Sequence, residues 1–320
     1  MNTILPLIQT ALELGLISSL TVLALFLSYS MLNVCDLSTD GCFTLGAAVG
    51  AVVALSGHPF LAILAAMGAG MLSGLLTAFL QTKMGVDSLL AGIVVNTGLY
   101  SINIAVMGNS SLLNMNKTET VFTLMQKFLK GTFLESQYKL LVILIAVALV
   151  IVFLTFFLHT RLGLAIRATG NNPAMVKSSS INTAMMTIIG LVIANAFTGL
   201  SGCLLAQSQK SVNIDIGTGM VTIALASLLI GNTFFAKKGI LPRAIGAVIG
   251  SFIFRLVYTI ALRFNMPAYM LKLVSAVIVV IAISGPYLKA RAKLLKRNLS
   301  LHGMAAKDSD TASGKEDQSC

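Results

Sequence analysis

Long apolar runs, most about as long as a membrane is thick and separated by short polar connections, set what this chain can fold into. A bilayer core of about 30 Å takes about 20 helical residues. Windows of that length place spans near 6–32, 42–57, 59–80, 88–108, 138–159, 184–206, 217–235, 240–262 and 268–288. The expectation is an all-α fold, a polytopic transmembrane helical bundle of about nine spans. Only 10% of the residues are charged, against about 25% in soluble domains. The net charge of +11 would suggest nucleic acid in a soluble protein. Here the basic residues are scarce within the runs and collect between them, as in loops facing an anionic membrane surface.

The spans use most of the 320 residues and leave no room for a catalytic domain larger than a loop. Cys35, Cys42, Cys203 and Cys320 form no C-x-x-C, and His58, His159 and His302 are far apart. Neither a metal site nor a disulfide framework is expected, and no cofactor is. The first run lacks a basic lead and is too long for a signal segment, so it is expected to be retained. The stretch 42–57 is short and follows the polar run Cys35 to Gly41. Polar backbone at membrane depth survives only when buried in protein or lining a wet cavity, so a broken or re-entrant helix is expected near 36–57.

Lys83; Arg161, Arg167 and Lys177; Lys237, Lys238 and Arg243; and Lys289, Arg291, Lys293, Lys296 and Arg297 fall in alternate connections, twelve in all. The opposite connections hold six: Lys117, Lys127, Lys130, Lys139, Lys210 and Arg263. The richer set is expected to be cytoplasmic, which with nine spans puts the C-terminus inside and the N-terminus outside. The outer loop, about 109–137, carries Thr123 to Lys130, whose apolar residues suit a short interfacial helix, either a lid on the bundle or a docking point for an external partner. The transmembrane domain is placed at 1–288, and 289–320 is read as a basic and then disordered cytoplasmic tail.

The inner loop, about 160–182, is the most informative soluble stretch. Gly170-Asn171-Asn172-Pro173 is a turn cluster, and Asn172 can cap a short helix starting at Pro173. A helix with few apolar anchors between basic flanks reads as a contact for another protein. This loop resembles the coupling loop of ABC importer permeases of the branched-chain amino acid and ribose class, the type II importer fold. In that family an Arg-Ala-x-Gly-x-Asn-like run precedes a short helix and then Gly-Ile-Asn. Here Arg167-Ala168-Thr169-Gly170-Asn171 is followed by Ser180-Ile181-Asn182, with Ser180 in place of glycine. Asp36 to Gly41 followed by Leu45-Gly46-Ala47 is similar to the family's broken second helix. Gly217-Thr218-Gly219-Met220 running to Ile230-Gly231-Asn232-Thr233 resembles its Gly-x-Gly-Leu and Ile-Gly-Gly-Thr motif, with Asn232 replacing a glycine. Lys238-Gly239 with Gly246 and Gly250 resembles the helix after it.

The resemblance covers about residues 12–288 and implies a bacterial cell-membrane permease subunit that is not itself an enzyme. No G-x-x-x-x-G-K-[ST] loop is present, so the chain has no Walker site for nucleotide. The implied partners are cytoplasmic ABC ATPase subunits, an external solute-binding protein, and a second permease copy or homologue. The implied ATPase contact is Arg167, Thr169, Gly170, Asn171, Asn172, Pro173 and Ala174. Candidates for the pathway are Asp40, Gly41, Asn96, Asn195, Gly231 and Asn232. The glycines Gly41, Gly46, Gly50, Gly68, Gly70 and Gly74 suit close helix packing as well, and Asn96, Asn103, Asn195 and Gln207 suit hydrogen bonds between helices. Intramembrane Glu13 and Arg255 either pair, or Arg255 reaches for an interface; Lys272 is expected to do the latter. The implied solute is small, an amino acid with an aromatic or branched side chain first, a sugar or nucleoside second. An ion-coupled carrier would need Glu13, Asp36 or Asp40 as its coupling carboxylate. A membrane enzyme finds no catalytic cluster.

Overall fold

The computed structural model describes residues 4–116, 118–130, 137–235, 239–263, 273–280 and 284. Of the expected spans, 268–288 falls largely outside these residues, as do Lys117, Lys237, Lys238, Lys272 and the tail 289–320. The other eight apolar runs are all helical. Helix α1 (Ile4–Leu25) continues as a π-helix (Phe26–Met31); α2 is Thr39–Leu55, α3 Pro59–Thr82 and α4 Ser88–Val106. Strand β1 (Leu112–Asn114) and α5 (Val121–Phe128) precede α6 (Tyr138–His159). Then follow α7 (Arg161–Asn171), α8 (Pro173–Ser178), α9 (Thr183–Gln209), β2 (Ser211–Asn213), α10 (Met220–Phe235) and α11 (Ile240–Arg263). Among the described residues six helical segments are long and apolar enough to cross a membrane, and α2 and α10 form the shorter apolar helices. The count of nine is therefore an expectation that the described residues do not settle.

Helix α9 is the axis of the bundle. Its 27 residues extend about 40 Å, and α1, α2 and α3 pack around it. Apolar contact between helices gains little in lipid, so close approach through small residues carries the packing. At the α2–α9 crossing Gly46 faces Gly199, and a methyl group on Gly46 would enter the Gly199 backbone. Gly70 of α3 lies as tightly against Asn195. The packing reading of these glycines thus holds at both positions.

Contacts sort the connections to two ends. At one, Gly170 of α7 packs on Met31 and Leu32 and Arg243 donates to Ser30 Oγ. At the other, β1 pairs antiparallel with β2, Leu112 opposite Asn213, and Gln207 ties α9 to the starts of α3 and α5. The described members of the twelve-residue basic set lie at the first end.

Three local expectations change. The interruption expected near 36–57 is confined to residues 32–38, and α2 runs unbroken from Thr39 to Leu55. The outer helix begins at Val121 because Thr120 and Thr123 form a reciprocal cap, with Thr120 Oγ1 accepting from the Thr123 N–H. Glu13 and Arg255 do not pair: Glu13 accepts from Gln9 Nε2, while Arg255 Nε donates to Ser18 Oγ at 3.0 Å and the guanidinium lies over the Tyr258 ring.

Replacing Gly46 with valine should destabilise the purified chain by about 3 kcal/mol or more, because the Gly199 backbone has nowhere to retreat. Thermal unfolding in detergent measures it, and an unchanged midpoint would refute the close crossing.

Candidate functional site: a polar cavity where two helices begin

A helix at about 1.5 Å per residue needs about 20 residues to cross about 30 Å of hydrocarbon. Helix α2 has 17 and α10 has 16, so neither alone crosses at full depth. Their starts meet inside the bundle. Asn195, which bonds the segment before α2, lies twelve residues into α9 from Thr183, about 18 Å along its axis. The chain therefore returns from the end of α1 and restarts as α2 well within the membrane.

Such a restart strands backbone N–H groups where there is no water to take them. Asp36 Oδ1 accepts from the Ser38 N–H at 2.8 Å and from Ser38 Oγ at 2.6 Å. Asn195 Nδ2 donates to the other carboxylate oxygen at 2.7 Å and to the Leu191 carbonyl. Thr77 Oγ1 donates to Ser38 Oγ. Asp36, Ser38 and Asn195 are all buried. One turn on, Asp40 takes the start of α10: Oδ2 accepts from the Gly219 N–H at 2.9 Å and Oδ1 from the Val221 N–H at 2.8 Å. A carboxylate there also meets the positive end of the α10 dipole. Gly219, with φ +84°, supplies the left-handed turn into that helix.

Beside Asp40 opens a cavity of ≈ 380 Å³. Asp40, Gly41 and Thr44 of α2 form one wall, Asn96, Thr97, Tyr100, Ser101 and Asn103 of α4 the second, and Ile214 and Thr218 of the turn before α10 the third. Asn103 Nδ2 donates to the Gly41 carbonyl at 3.2 Å, fixing α4 to α2. A side chain on Gly41 would strike Asn96 and Leu99, so glycine is what lets the two walls approach. One carboxylate, two amides, several hydroxyls and an aromatic ring can hold a polar organic molecule by hydrogen bonds and one charge. A larger cavity of ≈ 470 Å³ lies between α3, α5, α6 and α9, and its lining side chains are all apolar. It offers no partner to a polar solute.

Of the six pathway candidates, the structure brings Asp40, Gly41 and Asn96 together. Asn195 is spent on the Asp36 carboxylate, its hydrogen-bonding alternative. Gly231 packs against Gly246 of α11, and Asn232 follows it on α10, so neither lines the cavity. Gln207 staples the far end, its Oε1 accepting from the Val121 N–H and its Nε2 donating to the Pro59 carbonyl. Thr44, Thr97, Tyr100, Ser101 and Thr218 belong to the cavity and escaped the sequence reading. A signal was present for three of them: Asn96, Thr97, Tyr100 and Ser101 are spaced as one helical stripe through an apolar span.

The loop candidates form a separate group. Helix α7 continues through Gly170 and Asn171, so the turn narrows to Asn172 alone. Asn172 Oδ1 accepts from the Met175 N–H at 3.1 Å and caps α8, which starts with Pro173. Gly170 is a packing residue: a methyl group there would collide with the Met31 carbonyl. Thr169, Gly170, Asn171 and Pro173 line a half-polar cleft of ≈ 460 Å³ together with Asn33, Lys177 and Thr183. Arg167 is another residue of α7, and Ala174 follows Pro173 in α8. Ser180 has φ +60°, so the residue standing in for glycine holds a glycine-like conformation at some cost in strain.

The described residues thus form a helical membrane bundle with a polar cavity at one helix restart and a capped helix pair at the opposite side of the same interruption. The family described as branched-chain amino acid transport system, permease component, matches residues 7–283, and the chain belongs to it. A tyrosine transport system permease protein of Clostridioides difficile is 32% identical, with 83% of this chain and 86% of that protein aligned. A ribose import permease of Escherichia coli K12 is 28% identical over 78% and 75%. A guanosine ABC transporter permease of Bacillus subtilis is 28% identical over 54% and 56%. No solved structure matches. The chain is thus a multi-pass permease subunit of an ABC importer of the type II class, with ATP hydrolysis on a separate subunit. Family membership sets aside the ion-coupled carrier.

Removing the Asp40 carboxylate by Asp40→Ala should cost about 1–3 kcal/mol, since two part-buried N–H groups lose their acceptor. Asp40→Asn should fall between, because its single amide oxygen still accepts. Thermal unfolding of both variants would test this, and an alanine variant as stable as the parent would exclude the cap.

Proposed function

We propose that this permease moves an amino acid through a pathway that includes the Asp40–Asn96–Tyr100 cavity. The observation that carries the reading is a water-accessible type of lining, charge, amides and hydroxyls, at the one place where two helices start inside the bundle. Interrupted helices in transporters place their termini at the solute site for the same electrostatic reason. The Asp40 carboxylate suits an ammonium group, and the Tyr100 ring can lie along an aromatic or branched side chain. The tyrosine permease aligns over most of its length, which favours an amino acid. The ribose and guanosine relatives support a second reading, a sugar or nucleoside, whose hydroxyls the same amides could hold. Thermal-shift screening of the partner solute-binding protein with tyrosine, leucine, ribose and guanosine separates the two readings, and stabilisation by the last two alone would reject the amino acid.

The cavity is open on the side of α4, where Thr97, Tyr100 and Ser101 are exposed. Polar groups facing hydrocarbon are costly, so a second permease copy, identical or homologous, covers this side and completes the pathway. The end carrying α7 and α8 faces the cytoplasm, as does the C-terminus, and the other end receives the binding protein. The pair α7–α8 is the contact for the ATPase: Arg167, Thr169, Gly170 and Asn171 on one helix, Asn172 at the hinge, Pro173 and Ala174 on the next. Because Gly170 packs on the end of the π-helix, a push on this pair reaches the segment 32–38 and through it the starts of α2 and α10. That is a route from ATP-driven closure to the cavity.

Exchanging Asn171 to Ala174 for Gly/Ser should abolish co-purification of the ATPase while membrane insertion persists; an undiminished ATPase yield would remove the coupling assignment. Single cysteines at Lys127 and Lys177 should be labelled by an impermeant maleimide from outside and only after permeabilisation, respectively. The reverse pattern would invert the orientation.

A further inference from the structure

The hydrogen bonds already made around the polar cavity decide what it can still bind. A hydroxyl carries one hydrogen and two lone pairs, and three threonines of the lining have committed their hydrogens to the backbone. Thr44 Oγ1 donates to the Asp40 carbonyl, Thr97 Oγ1 to the Ile93 carbonyl and Thr218 Oγ1 to the Asp215 carbonyl. What remains to all three is lone pairs. Thr44 stands one helical turn along α2 from Asp40, on the same face.

Asn103 is the clearest case. The Gly41 carbonyl can only accept, so Nδ2 faces it and the amide oxygen is left over. Asn103 is 1% exposed, and its Oδ1 is buried with no hydrogen-bond partner among the described residues. An acceptor left in this way inside a membrane span is costly and calls for a donor. Through Gly41 it stands next to Asp40, whose two oxygens each take one backbone N–H and keep further lone pairs. Asn96 likewise brings its Oδ1 towards Gly41. Among the described residues that line the cavity none is basic, so no charge there balances a carboxylate.

From this bias towards acceptors we propose that the cavity is an ammonium site, in which the ammonium group of the solute sits among the Asp40 carboxylate, Asn103 Oδ1 and Thr44 Oγ1. An ammonium group brings three donors and no acceptor, and its bonds to a carboxylate are the strong, charge-assisted kind. The site rests on the reading of this cavity as part of the pathway and adds which end of the solute is held. The carboxylate of an amino acid is not recognised here, so an amine that lacks one binds at least as well.

Ligand-observed NMR on the full purified chain in phosphatidylcholine nanodiscs tests this, with tyrosine, tyramine, the deaminated analogue phloretate and ribose as probes and empty nanodiscs as background. Saturation transfer to tyramine should equal or exceed that to tyrosine, while phloretate and ribose stay at background. Asp40→Asn and Asn103→Leu should each weaken tyramine binding by about tenfold or more, since each removes a hydrogen bond to a charged group. Thr44→Val, close to isosteric, should weaken it by a smaller factor and guards against misfolding of the other two. Phloretate bound as well as tyramine, tyramine at background, or tyramine held equally by the parent and all three variants would each overturn the ammonium site. Failure of the wider reading looks different: a solute-binding protein stabilised only by ribose and guanosine would reject the amino acid while tyramine still bound at Asp40.

Discussion

The structure depends on how this chain pays for restarting helices where there is no water. Inside hydrocarbon an unbonded N–H costs several kcal/mol, and here two carboxylates one helical turn apart take three such groups. Asp36 satisfies the Ser38 N–H in the segment before α2 and is itself held by Asn195 of α9. Asp40 satisfies the Gly219 and Val221 N–H groups at the start of α10. Together they join residues 36–40 to two stretches more than 150 residues further along the chain. Without them the Ser38, Gly219 and Val221 N–H groups would lose these acceptors, and the polar cavity would lose its carboxylate.

The same arrangement explains why the cavity stands where it does. Two helix starts leave a gap that apolar side chains do not fill, and α4 presents its polar stripe to it. The small-residue crossing of α2 with α9 holds the first wall close to the axis. The loop pair α7–α8 touches the other end of the same interrupted segment through Gly170. Polar cavity, helix interruption and the α7–α8 loop are therefore neighbours in the fold.

Much of this was legible in the residues. Apolar run lengths gave eight helices within a few residues, because hydrocarbon thickness fixes helix length. Asn172 before Pro173 marked the α8 cap, because capping is local chemistry. The family resemblance on the loop and on Asp36 to Gly41 led to the permease class. Of the pathway candidates, Asp40, Gly41 and Asn96 line the polar cavity, whereas Asn195, Gly231 and Asn232 do not, since an amide or a glycine in a span reads the same whether it lines a cavity or joins two helices. The expected turn at Gly170 became helix for a similar reason: the glycine answers to the Met31 carbonyl, which is distant in sequence.

The sequence by itself determined that the chain is a membrane bundle, where eight of its apolar helices lie, and, through the family resemblance, that ATP is hydrolysed on another subunit. Those follow from run length, charge placement and an absent nucleotide loop, all properties of neighbouring residues. Only the tertiary structure decided which side chains meet: that Asp40 closes a helix 180 residues later, that Asn195 serves Asp36, and that the stripe on α4 lies beside Asp40 and Gly41 of α2. Partner choice in a bundle is set by the geometry of several helices packed at once, and no local pattern carries that information.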